Sequence, residues 1–177
     1  VDFDAEVDFV GITGLTCVIR RAYAIADRFR ERGVKVVLGG IHPSLLPEEA
    51  KEHADSVFIG EAEGMFEKVL QDFEAGELKP YYKNREWPDL KELPHPRRDL
   101  LNKRYRPFFK VIETTRGCPN RCEFCSVPII NGKRYRLRPL EEIDRELSQI
   151  IKKKDEYLLI ADDNVTAKED YAFGLFD

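Results

Sequence analysis

No apolar run in this sequence approaches the ~20 residues needed to span a bilayer. No basic and then apolar leader with a small-residue cleavage site precedes Val1, so nothing predicts secretion and a cytoplasmic location follows by default. Neither sign of charge is in excess. The 29 Lys and Arg face 33 Asp and Glu, which leaves no global pull toward nucleic acid. There is no internal repeat and no low-complexity stretch. Cysteines number only four, too few beside such long helical patterns for a small secreted disulfide scaffold. Three of them crowd together, which suits metal-binding thiolates in a reducing compartment. The sequence lacks an initiator Met, starts just before a strand pattern and stops inside a helical one. Both ends are therefore expected to be cuts through a larger protein.

The 177 residues allow one domain or two small ones. Val7 to Ile12 reads as a buried strand. Thr13-Gly14-Leu15-Thr16 reads as a turn, with Thr16 able to cap the helix that follows. That helix is expected from about Val18 to Arg32, with Val18, Ile19, Ala22, Ile25, Ala26 and Phe29 in one apolar stripe and Gly33 as its stop. Val34 to Leu38 is the next strand. Pro47 opens a short helix to about His53. Ser56 to Ile59 is a third strand, and Glu61 to Ala75 a helix with Phe66, Val69, Leu70 and Phe73 on one face. Alternating strands and helices predict a parallel α/β sheet, and three strands make a thin one. Residues 79–109 hold Pro80, Pro88, Pro94, Pro96 and Pro107 and read as an irregular linker. Pattern resumes with a strand from Lys110 to Thr114, a helix from Pro139 to about Lys152, a strand from Tyr157 to Ala161 and the start of a helix from Lys168. The expected division is 1–78, a linker at 79–109, and 110–177.

The segment Arg116-Gly117-Cys118-Pro119-Asn120-Arg121-Cys122-Glu123-Phe124-Cys125 has C-x3-C-x2-C spacing, which lets one loop wrap a cube-shaped iron–sulfur cluster from one side. Such clusters are commonly held by four thiolates, so three leave one iron open to a ligand. Arg116, Arg121, Lys133, Arg134, Arg136 and Arg138 lie nearby in sequence, where they offset the cluster's negative charge and steer an anionic carboxylate. A structural zinc site is the alternative, with Cys17, His42 or His95 as a remote fourth ligand. A disulfide with one thiol left over is the other. The run Lys133 to Arg138 interleaves basic and aromatic residues, a weak nucleic-acid signal in an acidic chain. A solvated loop or a charge partner of the cluster is the preferred reading of it.

C-x3-C-x-aromatic-C just after a strand, with Phe124 as the aromatic, resembles the signature of the radical S-adenosylmethionine (SAM) superfamily. The resemblance implies that Cys118, Cys122 and Cys125 ligate a [4Fe-4S] cluster and that SAM chelates the fourth iron. Electron transfer would then cleave SAM to methionine and a 5′-deoxyadenosyl radical. It also implies a TIM-like (β/α) barrel or partial barrel, with Phe124 on the cluster and SAM loop. At the end of the second strand the family often carries Gly-Gly-Glu, which contacts the SAM amino group. Asp162-Asp163-Asn164 stands there instead, and Asp163 is the preferred acceptor. The same residues also read as an ordinary polar loop, with Asn164 or Thr166 starting the next helix.

The first half resembles the end of a cobalamin (B12)-binding domain of flavodoxin-like topology. Thr13-Gly14-Leu15 stands where that family has Ser-x-Leu, and Gly39-Gly40 matches its Gly-Gly pair. Both lie at carboxyl ends of strands, where ligands of open parallel sheets sit. The family's Asp-x-His-x-x-Gly loop is missing. His42-Pro43-Ser44, Gly60-Glu61-Ala62-Glu63 and Pro96-Arg97-Arg98-Asp99-Leu100-Leu101 also resemble stretches of B12-binding radical SAM enzymes. Simpler readings stand beside these. Gly39-Gly40 can be a plain turn, His42 a loop histidine, Cys17 a buried helix-start residue, and Glu61 and Glu63 residues favouring a helix amino terminus.

The expected function is that of a segment of a cobalamin-dependent radical SAM enzyme that methylates an unactivated carbon. Expected cofactors are a [4Fe-4S] cluster, SAM and cobalamin. A small-molecule substrate and a reductant such as flavodoxin or ferredoxin are the expected partners. Ring formation or rearrangement is the alternative chemistry, and a non-catalytic remnant holding a cluster or cobalamin is the alternative class. An incomplete sheet predicts a partial cobalamin pocket and an edge open to self-association.

Overall fold

The computed structural model describes residues 1–101, 110–151 and 157–177. The part of the proline-rich stretch that holds Pro107 and Phe109, and the expected helix end at Lys152, lie outside the described residues. The chain forms two compact units, Val1–Pro88 and Asp89–Asp177.

In the first unit, β1 (Phe9–Thr13), β2 (Lys35–Gly39), β3 (Ser56–Ile59) and β4 (Tyr81–Lys83) form one parallel sheet in chain order. Between β1 and β2 runs α1 (Ile19–Glu31), whose Ile19, Ala22, Tyr23, Ala26 and Phe29 are buried. These positions recur at helical spacing and pack on Val36, Leu38 and Val57. Fully burying one such side chain contributes about 1.5–3 kcal/mol. Gly33 ends the helix at φ 82°, donating its N–H to Arg30 O. Two short helices, α2 (Ile41–Leu45) and α3 (Pro47–Glu52), precede β3. On the opposite sheet face Val37 and Phe58 meet Val69 of α4 (Phe66–Glu74) and Tyr82 of β4. The sheet is therefore covered on both faces.

Several expectations are corrected here. The sheet has four strands, because residues 81–83, inside the stretch read as irregular, form β4. Asp72 explains its anchorage. This buried carboxylate of α4 accepts from Tyr82 Oη at 2.8 Å and pairs with Lys68. Those two partners hold the Asp72 carboxyl below the usual carboxylate range, despite burial. Helix α4 starts five residues later than Glu61. The segment before it is a turn whose Glu61 and Glu63 carbonyls accept from the Asn84 side chain, so these glutamates do not open a helix. Thr16 does not cap α1. It begins a 3-10 turn over Thr16–Val18. Cys17 in that turn is exposed, not buried, and Val18, at the edge of the expected stripe, is 50% exposed.

In the second unit β5 (Lys110–Ile112) pairs in parallel with β8 (Leu158–Ile160). A separate antiparallel ribbon joins β6 (Thr115–Arg116) to β7 (Arg136–Leu137). Short helix α5 (Val127–Ile130) lies between the ribbon strands, followed after β7 by α6 (Leu140–Ile150) and, after β8, by α7 (Glu169–Phe176). Ile112, Ile143 and Tyr171 form the core, with Leu137, Leu140, Leu147, Ile150, Ile160 and Leu175 against them. Tyr171 Oη donates to Arg138 O and Thr114 O, and burial pushes its phenol up to about 12. No described helix is long and apolar enough to cross a membrane.

Candidate functional site

The three clustered cysteines sit on the loop between β6 and α5. Cys118 and Cys125 are half-buried, Cys122 is exposed, and all are free thiols. Cys125 N–H donates to Cys122 O at 3.1 Å, closing a tight turn around Phe124, which is 94% exposed. Among the described residues no group of three or more His, Cys, Asp or Glu side chains is spaced to hold a metal ion. The sulfurs share a loop without being gathered. The donor set still fits an iron–sulfur cluster: three soft thiols within one loop, and thiol sites commonly assemble on the metal itself. Two candidates for a fourth zinc ligand are engaged elsewhere. His42 lies 3.1 Å from Thr16 Oγ1 and 3.2 Å from Glu49 Oε1. His95 lies 3.4 Å from Gln149 and 3.6 Å from Glu142.

Both stems of the cysteine loop are pinned. Gly117 adopts φ 81°, and a Cβ there would lie 2.5 Å from Arg134 O, 3.0 Å from Gly132 O and 3.1 Å from Asn131 O. Only glycine lets the loop cross this backbone so closely. The basic run 133–138 supplies the other side of the ribbon. Arg136 is buried and donates to Asn131 O, and buried Arg138 donates to Glu113 O and meets Glu146. Arg116 pairs with Glu113 at 2.7 Å. Three of the six cations near the cluster in sequence are thus built into the framework, whereas Arg121, Lys133 and Arg134 are exposed.

The turn after β8 reaches the same loop. Asp162 accepts from Thr114 N–H at 2.7 Å, from Thr115 Oγ1 at 2.8 Å and from Thr114 Oγ1. Asp163 Oδ2 accepts from Gly117 N–H at 3.0 Å and from the Asn131 amide at 2.9 Å. Asn164 Nδ2 donates to Cys118 Sγ at 3.6 Å. Sequence reasoning offered these three residues to the SAM amino group, with an ordinary polar loop as the alternative, and missed that Asp162 and Asp163 brace the cysteine loop and its stem. It also missed Gly117 and the buried pair Thr114 and Thr115. Two polar residues directly after a strand were the available signal.

In the first unit the strand ends form their own rim. Gly14 N–H donates to Gly39 O at 3.0 Å, and His42 N–H to Gly14 O at 3.0 Å. Ser44 Oγ donates to Gly40 O at 2.7 Å and accepts from Gly60 N–H at 2.8 Å, so one hydroxyl joins the loops after β2 and β3. Thr13 and Leu15 are exposed at this rim, and Gly14 is buried. Gly40 has φ 88°, and a Cβ there would meet Gly14 N at 3.1 Å and Thr13 Cβ at 3.3 Å. The space a Cβ at Gly40 would take is thus filled by the chain's own β1 loop. Gly39 has ordinary room, with Phe58 Cβ 3.6 Å away. Gly40→Val is expected to lower stability by roughly 1–3 kcal/mol through positive-φ strain and this clash. The urea midpoint of the first unit measures it, and an unchanged midpoint would show that neither the strain nor the clash is felt there.

Buried Tyr23 donates to Glu49, and its phenol is pushed up to about 12, first by burial and then by that carboxylate. Hydrogen bonds from His42 and Tyr23 hold the Glu49 carboxyl below its usual range. His42 is therefore an anchored residue of α2, not of a loop, with both ring nitrogens engaged.

Comparison with known proteins agrees with this division. The B12 binding domain model matches residues 3–70 and the Radical SAM superfamily model residues 112–176. Bacteriochlorophyllide d C-8(2)-methyltransferase of Chlorobaculum tepidum is 38% identical over 84% of this chain and 34% of its own length. The C-12(1)-methyltransferase of the same organism is 32% identical over 96% of this chain and 39% of its own. Both relatives are thus much longer than the part the chain spans. Among solved structures, the radical SAM methyltransferase TsrM of Kitasatospora setae, with cobalamin and a [4Fe-4S] cluster bound, superposes with a TM-score of 0.72. That match covers 98% of this chain and 41% of the other at 18% identity, a likeness of fold.

Proposed function

Because the chain belongs to the B12-binding radical SAM proteins, we propose that it serves SAM-dependent methyl transfer to an unactivated carbon. In this reading Cys118, Cys122 and Cys125 hold a [4Fe-4S] cluster. Thr13, Gly14, Leu15, Gly39 and Gly40 form part of a cobalamin seat within the Val1–Pro88 unit, and the SAM-binding part lies in the Asp89–Asp177 unit. When bound, the cluster supplies the electron that opens SAM, and cobalamin serves as the methyl carrier. The observation that carries the reading is the convergence of the β8 turn on the cysteine loop, at Gly117 and Cys118.

The chain's residues divide the work. Gly117 and the β6–β7 ribbon hold the loop stems. Asp162 commits both oxygens to Thr114 and Thr115, so it braces and does not reach a ligand. Asp163 is exposed and commits Oδ2, leaving Oδ1 as the acceptor offered to the SAM amino group. Phe124, fully out in solvent, covers the apolar side of the bound group. Exposed Arg121, Lys133 and Arg134 attract the SAM carboxylate and an acidic reductant of the flavodoxin or ferredoxin kind. The two relatives' names, methyltransferases at carbon positions of a bacteriochlorophyllide, support methylation over ring formation.

Anaerobic reconstitution tests this. It should give about four irons per chain, and SAM should perturb the electron paramagnetic resonance spectrum of the reduced cluster. The perturbation should weaken in Asp163→Ala. Stoichiometric zinc without iron, or a spectrum unchanged at saturating SAM, would overturn the reading.

A further inference from the structure

Asp162, Asp163 and Asn164 touch the cysteine loop at successive points, namely Thr114 with Thr115, then Gly117, then the Cys118 sulfur. The first two contacts hold backbone and hydroxyl groups. The third alone reaches a ligand atom.

We propose that Asn164 is a positioning residue of the cluster, a side-chain amide that orients the Cys118 sulfur and sets the cluster's reduction potential. The inference rests on the assignment of Cys118 as an iron ligand and adds a role separate from SAM binding. Its orientation follows from its two neighbours. Cys118 as an iron-bound thiolate only accepts, so the amide end 3.6 Å from Cys118 Sγ is Nδ2, the donor, and Oδ1 accepts from Thr166 Oγ1 at 3.3 Å on the other side. The Asn164 backbone is tied as well, since its carbonyl accepts from Tyr135 Oη at 2.8 Å. Asn164 is half-buried, so water competes poorly for the donor. Tyr135 in turn lies next to β7, so the ribbon and the β8 turn fix the amide from both sides.

The chemistry follows from charge. Reduction adds an electron to a thiolate-ligated centre that is already negative. A hydrogen bond donated to a ligating sulfur stabilises the reduced form more than the oxidised form and raises the potential. The same bond restrains the sulfur's direction, which slows loss of the iron it holds. Asparagine suits this place better than aspartate, whose carboxylate would add a negative charge and offer no donor.

The test is a redox titration of reconstituted protein followed by electron paramagnetic resonance, together with the rate of iron release to a chelator. Asn164→Ala keeps the backbone carbonyl for Tyr135 and removes the side-chain donor, together with the acceptor of Thr166 Oγ1. It should move the potential to a more negative value and release iron several-fold faster. Asn164→Asp should shift further in the same direction. Thr166→Val, which frees the amide to turn over, should shift less. Asn120→Asp, an exposed change on the cysteine loop, adds charge without touching the hydrogen bond and should fall short of Asn164→Asp. Asn164→Ala with wild-type potential and wild-type iron release would overturn the inference, even with the cluster assignment intact. Wild-type protein that takes up no iron would overturn the cluster assignment, and this inference with it.

Discussion

Glu146→Ala is expected to cost the Asp89–Asp177 unit about 3–5 kcal/mol, the usual loss when one partner of a buried ion pair is removed. Glu146 is 1% exposed on α6 and stands between two arginines. Arg98 pairs with one carboxylate oxygen and also donates to Val111 O at 2.8 Å. Arg138 Nη2 lies 2.6 Å from the other oxygen, paired by charge though not aligned as a hydrogen bond. The triad ties the 3-10 turn over Arg98–Leu100, the end of β5 and the stem of the cysteine loop to one helix. Alanine leaves Arg138 buried with its charge uncompensated, and urea denaturation followed at the aromatic residues of this unit should show the loss. Glu146→Gln keeps an acceptor and should cost less.

The triad also fixes a sign for pH dependence. Burial alone would raise the Glu146 carboxyl, but Arg138 and Arg98 outweigh it and hold it below the usual value. The stabilisation is therefore present above the unfolded glutamate value of about 4.3 and is lost as pH falls through the lower, folded value. Wild type and Glu146→Gln should converge in stability as the medium is acidified through that window. A gap that persisted or widened there would contradict the assignment.

Gly117→Ala is expected to lower iron loading tenfold or more. A non-glycine residue at φ 81° costs ~1–3 kcal/mol by itself. The added Cβ would also stand 2.5 Å from the Arg134 carbonyl, a backbone atom that yields only if β7 moves. Moving β7 breaks its pairing with Thr115 and Arg116 and displaces Gly117 from the Asp163 carboxylate. Each ~1.4 kcal/mol lost from the loop geometry is a factor of about ten in its population. Gly76→Ala is the control. It has φ 74° and nothing within 4 Å of where a Cβ would stand, so it adds strain without a clash and without touching the loop. Equal iron uptake by Gly117→Ala and wild type would show that the loop does not depend on this crossing.

Legibility in the sequence tracked the length of each pattern. The helical stripe of α1 and the apolar runs of β1 to β3 were readable because a buried face repeats over several turns or strand residues. β4 was not, since Pro80 and the charges around it speak louder than Tyr81 and Tyr82. The ribbon β6–β7 is two residues on each side, too short to carry any period. The cysteine loop was legible by spacing alone. Its supports were not, because Asp162 reaches Thr114 across 48 positions of sequence. A glutamate at position 146 carries no signal of burial in the sequence, and only the convergence of Arg98 and Arg138 makes its burial tolerable.

Residues 133–138 acquire an evolutionary meaning from that ribbon. Buried Arg136 and Arg138 alternate with half-buried Tyr135 and Leu137, while Lys133 and Arg134 face water. Arg136 reaches Asn131 O and Arg138 reaches Glu113 O from positions two apart, so inserting or deleting a single residue between them would break the spacing that both bonds need. This stretch should accept changes of identity at position 133 across a lineage and yet keep its length constant. An alignment of descendants would show it as a gap-free block in which spacing, more than chemistry, is what selection has preserved.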